Sequence, residues 1–175
     1  MKKVILFIAT SLDGYIAREN GDIDWLYTDQ DYGYKDFLDS VDTILMGGKT
    51  YRQVLGFGEE WPYADKKSVI FTHDVSQQSN DEITFIHHDI PGAIDRLRKE
   101  KGKDIWLVGG AEINTILLEE GLIDELWLFK MPVVLGKGIP LFNEVPKESW
   151  FKIHDIEEFD SGLVKMIYLK DQKIN

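Results

Sequence analysis

A chain of 175 residues with 43% hydrophobic content is sized for one domain with a substantial core. Its 31 Asp and Glu against 20 Lys and Arg leave a net charge of −11, which opposes binding to nucleic acid or an anionic membrane surface, because phosphate neutralisation needs clustered cations. The absence of cysteine excludes disulfides, thiolate nucleophiles and Cys-based zinc sites, and the adjacent His87 and His88 would point to opposite faces of a strand, so no metal site is expected.

Lys2 and Lys3 ahead of VILFIA imitate an export signal, but an apolar run of about seven residues is short for one and passes into SLDGYIA without a cleavage site. No stretch approaches the roughly 20 apolar residues of a membrane span, so a cytoplasmic location is expected. In chain order, strands are predicted at Val4 to Ala9, Thr43 to Met46, Ser68 to Phe71, Ile105 to Val108 and Leu126 to Phe129. Their unbroken apolar character suits parallel strands covered on both faces. Helices are predicted at Tyr32 to Leu38, Thr50 to Leu55, Pro91 to Lys101 and Glu112 to Glu120, with Asp89 as a cap and Gly102 as a stop for the third. Beyond Pro146, Trp150 to Phe159 and Leu163 to Lys170 flank Asp160-Ser161-Gly162 and read as a hairpin. The expected architecture is one α/β domain over residues 1 to 175, its mainly parallel sheet closed by an antiparallel pair. The run FKMPVV, Phe129 to Val134, reads as a buried strand or as half of a homodimer interface.

Two predicted strands end in glycine pairs that lead into helices: TILMGGKTY, Thr43 to Tyr51, and IWLVGGAEI, Ile105 to Ile113. Glycine allows a sharp turn and close approach of a ligand to the main chain, while the free amides and dipole of the following helix favour a phosphate. Either pair alone is also explained by tight strand-to-helix packing; two at equivalent junctions favour an elongated ligand carrying several phosphates. Neither is a G-x-G-x-x-G fingerprint or a Walker loop. In an open parallel sheet both would lie at the carboxyl edge of the strands, where ligands bind.

The chain resembles the dihydrofolate reductase superfamily, and within it the bacterial branch related to the C-terminal reductase domain of the bifunctional riboflavin-pathway enzyme. The resemblance spans nearly the whole chain: IATSLDGYIA at Ile8 to Ala17, Trp25, ILMGGKTY at Ile44 to Tyr51, SVIFTH at Ser68 to His73, LVGGAEI at Leu107 to Ile113, DELWL at Asp124 to Leu128, and PVVLGKGIPLF at Pro132 to Phe142. It implies a three-layer fold, with a central mostly parallel sheet, an antiparallel C-terminal strand and helices on both faces. It also implies an NADPH-dependent reductase and a likeness to homodimeric relatives. The nearest named activity is 5-amino-6-(5-phosphoribosylamino)uracil reduction, although nothing here resembles the zinc motif of the accompanying deaminase. A dihydrofolate or pteridine reductase and a non-catalytic nucleotide-binding homodimer are the alternatives.

Carried over by position, the resemblance puts Ala9, Thr10 and Ile16 beside the nicotinamide, and Gly47, Gly48, Lys49 and Thr50 at the cofactor phosphates. Val108, Gly109, Gly110, Ala111, Glu112 and Ile113 form the second, pyrophosphate-facing turn, and Thr72 and His73 meet the adenosine ribose. Better-known relatives carry arginines where this chain has Gly48 and Glu112, which leaves Lys49 and His73 as the cationic candidates for a ribose phosphate. Hydride delivery to a C=N or C=O group calls for an acid or a water ordered by one. Asp31 resembles the substrate-binding carboxylate, with helix capping as its other reading, and Asp13 is second, with a turn as its other reading. Trp25, Tyr32, Lys35, Val54 and Leu55 are the candidates for a substrate pocket or for packing.

Overall fold

A computed structural model describes residues 1–58 and 60–171. In chain order the elements are β1 (Val4–Thr10), β2 (Tyr15–Ala17), α1 (Tyr34–Ser40), β3 (Val41–Gly47), α2 (Gly48–Leu55), β4 (Lys67–Phe71) and β5 (Ile83–Ile86). They continue with α3 (Ile90–Lys99), β6 (Asp104–Gly109), α4 (Ala111–Glu119), β7 (Glu125–Lys130), β8 (Ile139–Pro140), β9 (Phe151–Glu158) and β10 (Val164–Lys170). Eight strands form one sheet in the order β5-β4-β3-β6-β1-β7-β10-β9, while β2 and β8 pair separately. From β5 through β7 every pairing is parallel, and β10 runs antiparallel to both β7 and β9. The hairpin thus closes one side of a parallel sheet, as its Asp-Ser-Gly turn implies.

Strand alternation sends successive side chains to opposite faces, and both faces are apolar. Val4 and Leu6 of β1 face α3 and α4 in a cluster with Ile94, Leu97, Ile113 and Leu117. Ile5 joins Phe37 of α1, Val54 of α2, Ile44, Met46 and Trp106 on the other face. Tyr32, Phe129, Met131 and Leu163 make a third cluster beneath the hairpin turn. Helices thus cover both faces of the sheet, in the three-layer α/β arrangement expected from the sequence.

Helix boundaries follow local chemistry. Asp89 accepts a hydrogen bond from Gly92 N at 3.2 Å, and Arg96, Arg98 and Lys99 place positive charge in the last turn of α3, where the helix dipole favours it. The helix stops at Lys99 rather than Lys101, ahead of Gly102. The first helix begins at Tyr34 rather than Tyr32, because Tyr32 (φ 53°) and Gly33 (φ 81°) both adopt left-handed backbone. Three elements go beyond the expected set. The four-residue β5 is the outermost parallel strand, and β2 and β8, of three and two residues, are too short to show a period.

At the amino ends of the parallel strands, charges are paired. Lys2 Nζ donates to Asp42 Oδ1 at 2.6 Å and Thr43 Oγ1 at 3.2 Å, and Lys3 Nζ meets Glu125 Oε1 at 2.7 Å. Asp124 Oδ2 accepts from Val4 N at 2.8 Å and Arg98 Nη2 at 2.6 Å. No helix among the described residues is long and apolar enough to cross a membrane.

Candidate active site

The carboxyl ends of β1, β6, β3 and β4 stand side by side, and each ends in, or directly before, a residue expected at a site. Both glycine pairs lie there, in adjacent strands. Gly47 is the N-terminal cap residue of α2 and Gly110 that of α4, and neither helix start carries a side-chain cap. The first-turn amides of two helices therefore open on the same strand edge without competition from a hydroxyl or carboxylate. In contrast to expectation, α2 begins on Gly48 itself rather than at Thr50.

The two junctions interlock. A Cβ on Gly47 would lie 3.7 Å from Ile113 Cγ2, and one on Gly110 would lie 3.4 Å from Thr50 Oγ1 and 3.8 Å from Ile16 Cδ1. A Cβ on Gly48 would sit 2.8 Å from Thr72 Oγ1. Gly109 has φ 113°, a left-handed region that disfavours side chains, and the Gly109–Gly110 peptide is cis. Ile16, Gly47, Gly48, Thr50, Thr72, Gly109, Gly110 and Ile113 are thus brought together, with Val108 and Ala111 carried in the same β6–α4 segment. Lys49 is exposed in the first turn of α2, and Ala9 is half-buried on β1 against the third cluster.

Two polar atoms at this edge are shielded from solvent and have no hydrogen-bond partner: Thr10 Oγ1 and Asn114 Oδ1. Both residues are 0% exposed. Buried polar groups are normally paired, so these are open positions for a ligand or water. Asn114 Nδ2 donates to Leu141 O at 3.1 Å, and a Cβ on Gly109 would lie 3.4 Å from Asn114 Oδ1. Asn114 escaped the sequence reading because an asparagine inside an apolar helix carries no motif; its burial is what distinguishes it.

The charges at the outer end of the edge are arranged differently from expectation. His73 Nε2 lies 3.2 Å from Glu112 Oε1, so the acidic Glu112 faces the histidine. Arg52, which the sequence reading passed over, brings Nη1 to 3.6 Å from the position of a Cβ on Gly48. The carboxylate of Asp74 accepts from Ser76 N at 3.0 Å, Ser76 Oγ at 2.6 Å and Gln77 Nε2 at 3.3 Å, contacts that hold its pKa below the usual range.

The two proposed acids lie in different settings. Asp13 accepts from Ser11 Oγ at 2.6 Å, Leu135 N at 3.1 Å and Gly136 N at 2.7 Å. Led by the Ser11 bond, these contacts hold its carboxyl down at about 2. These contacts tie the β1–β2 loop to the loop after β7. Beside it, Lys130 donates to Ser11 O at 3.1 Å, and burial pushes its ammonium pKa down against the pull of Asp13. Asp31 is exposed and accepts from Lys35 N at 3.2 and 3.3 Å, an N-terminal capping contact.

The expected pocket residues divide. Trp25 and Tyr32 share the third cluster, and Trp25 Nε1 is shielded without a partner. The Tyr32 hydroxyl bridges Asp29 Oδ1 at 2.8 Å and Ser161 Oγ at 2.9 Å, beside a small hollow lined by Leu26, Tyr27 and Thr28. Val54 is packed into the core of the second cluster rather than lining a cavity, while Lys35 and Leu55 are exposed. Half-buried Tyr34, Tyr51, Trp61 and Tyr63 border that cluster together with Val108, forming an aromatic wall. Burial raises the phenol pKa of both Tyr34 and Tyr63, which keeps them neutral. No metal-ligating cluster of three or more side chains occurs among the described residues.

A mostly parallel sheet, helices on both faces and two glycine junctions on one strand edge together define a domain of dihydrofolate-reductase-like fold. The chain belongs to the family of the RibD C-terminal domain, whose model matches residues 2–57 and 61–165. The Bacillus subtilis (strain 168) protein YwjB is 39% identical over 172 residues, covering 97% of this chain and 98% of its own. A protein ascribed to riboflavin biosynthesis from Shewanella sp. PV-4 superposes with a TM-score of 0.87 at 30% identity, covering 97% of this chain and 99% of its own. Dihydrofolate reductase from Enterococcus faecalis, solved with NADP(H), superposes with a TM-score of 0.71 at 13% identity, covering 97% of each chain, and that likeness concerns the fold.

Proposed function

We propose that the protein is an NADPH-dependent reductase that delivers hydride to a C=N or C=O group of a small flat heterocycle. The observation that carries this reading is the pair of uncapped helix starts, at Gly48 and Ala111, on adjacent strands. Their first-turn amides, free of any side-chain cap, fit a pyrophosphate. The unpaired, shielded Thr10 Oγ1 fits a polar ring substituent at the other end of the same ligand. The NADP(H) held by the Enterococcus reductase of the same fold supports the choice of cofactor.

A reduced nicotinamide supplies the hydride. Gly47 through Thr50 and Gly109 through Ile113 hold the phosphates, and Ala9, Thr10 and Ile16 border the ring. Lys49, Thr72 and His73 attend the adenosine end. Trp25 and Tyr32 position the heterocycle, and the aromatic wall offers stacking surfaces for it. Asp31 orders the water that protonates the reduced atom, since the Asp13 carboxylate is committed to its own loops. Among named activities, reduction of 5-amino-6-(5-phosphoribosylamino)uracil is the nearest, with a pteridine reductase second. The working unit is a cytoplasmic homodimer in which β9, the outermost strand, pairs with its copy; Ile153 and Ile156 on β9 are 49% and 56% exposed.

Titration with NADPH, followed by tryptophan fluorescence and thermal melting, tests binding. Loss of reduced-nicotinamide absorbance with pyrimidine and pteridine substrates tests turnover. A protein that neither quenches nor gains stability with NADPH defeats the reading, and one that binds without turnover with any substrate is a nucleotide-binding protein.

A further inference from the structure

We infer that Arg52 is the residue that recognises the phosphate on the adenosine ribose of the cofactor and so selects NADPH over NADH; this rests on the nucleotide-binding reading above. Arg52 is one helical turn beyond Gly48 on α2, and side chains on a helix lean toward its N-terminus, so residue 52 covers the surface above residue 48. The structure bears this out: Arg52 Nη1 reaches to 3.6 Å from the position where a side chain on Gly48 would begin. Thr72 closes the same space from β4, its Oγ1 2.8 Å from that position. A cationic fork therefore stands where position 48 itself offers no side chain.

Placement along the sheet edge says which phosphate it meets. The strands run β1, β6, β3, β4 across the edge. At about 4.8 Å per strand, Thr72, just past β4, lies roughly three spacings from Thr10, and Arg52 lies between, on the helix that follows β3. A ligand whose ring lies at Thr10 and whose pyrophosphate crosses Gly110 and Gly48 brings its far nucleoside to Thr72 and Arg52. The acids of that region do not stand in the way. Asp74 spends its oxygens on Ser76 and Gln77, and Glu112 faces His73. Arg52 is exposed and makes no hydrogen bond among the described residues, although Asp74 attracts it through space. Its five N–H donors are therefore available in the planar geometry that matches a phosphate. A diol in the same place would accept far less from a cation, which is the basis of the discrimination.

Equilibrium dissociation constants for NADPH and NADH, measured by tryptophan quenching on the wild type, Arg52→Gln, Arg52→Lys and Lys49→Gln, test the assignment without requiring a substrate. Arg52→Gln is expected to weaken NADPH ten- to hundred-fold and leave NADH within two-fold, and Arg52→Lys to recover part of the loss. Raised salt should weaken NADPH more than NADH in the wild type and equally in Arg52→Gln. An unchanged melting temperature without ligand confirms that the variant is folded. If the wild type prefers NADPH and Arg52→Gln keeps that preference, or if the preference disappears in Lys49→Gln alone, Arg52 is not the selector. Equal affinity of the wild type for both nucleotides also overturns the assignment while leaving the reductase reading intact, whereas binding of neither overturns both.

Discussion

Gly48 and Thr72 stand so close across the ends of β3 and β4 that a methyl group on Gly48 would lie 2.8 Å from the Thr72 hydroxyl oxygen and 3.1 Å from its Cβ. The hydroxyl is itself held, accepting from Asp74 N at 3.2 Å. Glycine at 48 is therefore required by its neighbour.

Gly48→Ala should destabilise the protein by about 1–3 kcal/mol, the usual cost of overpacking, because Thr72 must leave Asp74 N to make room. Combining it with Thr72→Ala should cost less than the sum of the two single changes, since the shorter side chain relieves the clash. Urea denaturation of the four proteins measures this coupling, and strict additivity would show that the two residues do not meet.

Asp13 predicts a pH dependence. Its folded pKa of about 2 lies below the ordinary carboxylate value, so its bonds to Ser11, Leu135 and Gly136 stabilise the fold above the ordinary value. That contribution disappears as the pH falls through the folded value. Asp13→Asn should therefore melt at a lower temperature than the wild type at pH 7, and the gap should narrow steadily from pH 4 toward about pH 2. A gap that stays constant with pH would assign the effect to shape rather than charge.

Asp31 can be tested by a substitution that keeps one role and removes the other. Asparagine caps helices as well as aspartate, so Asp31→Asn should leave α1 intact, whereas Asp31→Ala should cost about 1 kcal/mol. If Asp31 orders the proton-donating water, Asp31→Asn lowers kcat by about 100-fold or more with little change in NADPH affinity. Full turnover in Asp31→Asn would leave it a capping residue alone.

The free edge of β9 predicts the oligomeric state. Replacing Ile153 and Ile156, both more than a third exposed, with lysine should shift the protein from dimer to monomer in sedimentation equilibrium. Exposed substitutions of this kind change monomer stability by no more than about 0.5 kcal/mol, so melting should be little affected beyond the loss of association. A wild type that sediments as a monomer removes β9 from this role.

The parts legible in the sequence were those whose physics is local. Apolar runs such as Val4 to Ala9 announce buried parallel strands, Asp89 announces a cap, and Asp160-Ser161-Gly162 announces a hairpin. Tyr32 was read into a helix because its apolar spacing fits one, yet Gly33 turns the chain left-handed and Tyr32 follows, its hydroxyl held by Asp29 and Ser161. The glycine pairs were visible as motifs, but their convergence depends on β3 and β6 being neighbours, which sequence order does not state. Arg52 and Asn114 were silent for the same reason: one matters for what it leans over, the other for a carbonyl oxygen left unpaired. Asp13 is legible as a turn aspartate, but the two amides that the loop after β7 supplies to it are not.

The ion pairs at the amino ends of the strands, Lys2 with Asp42, Lys3 with Glu125 and Arg98 with Asp124, have a consequence for how such a chain can diversify. These three pairs gather at one rim of the sheet, and both glycine-pair junctions lie at the opposite rim, about seven residues of strand away. Changes at the glycine junctions are thus separated from these ion pairs by the length of the strands. Substitutions in the loops beyond the carboxyl ends of β3, β4 and β6 leave these three pairs untouched.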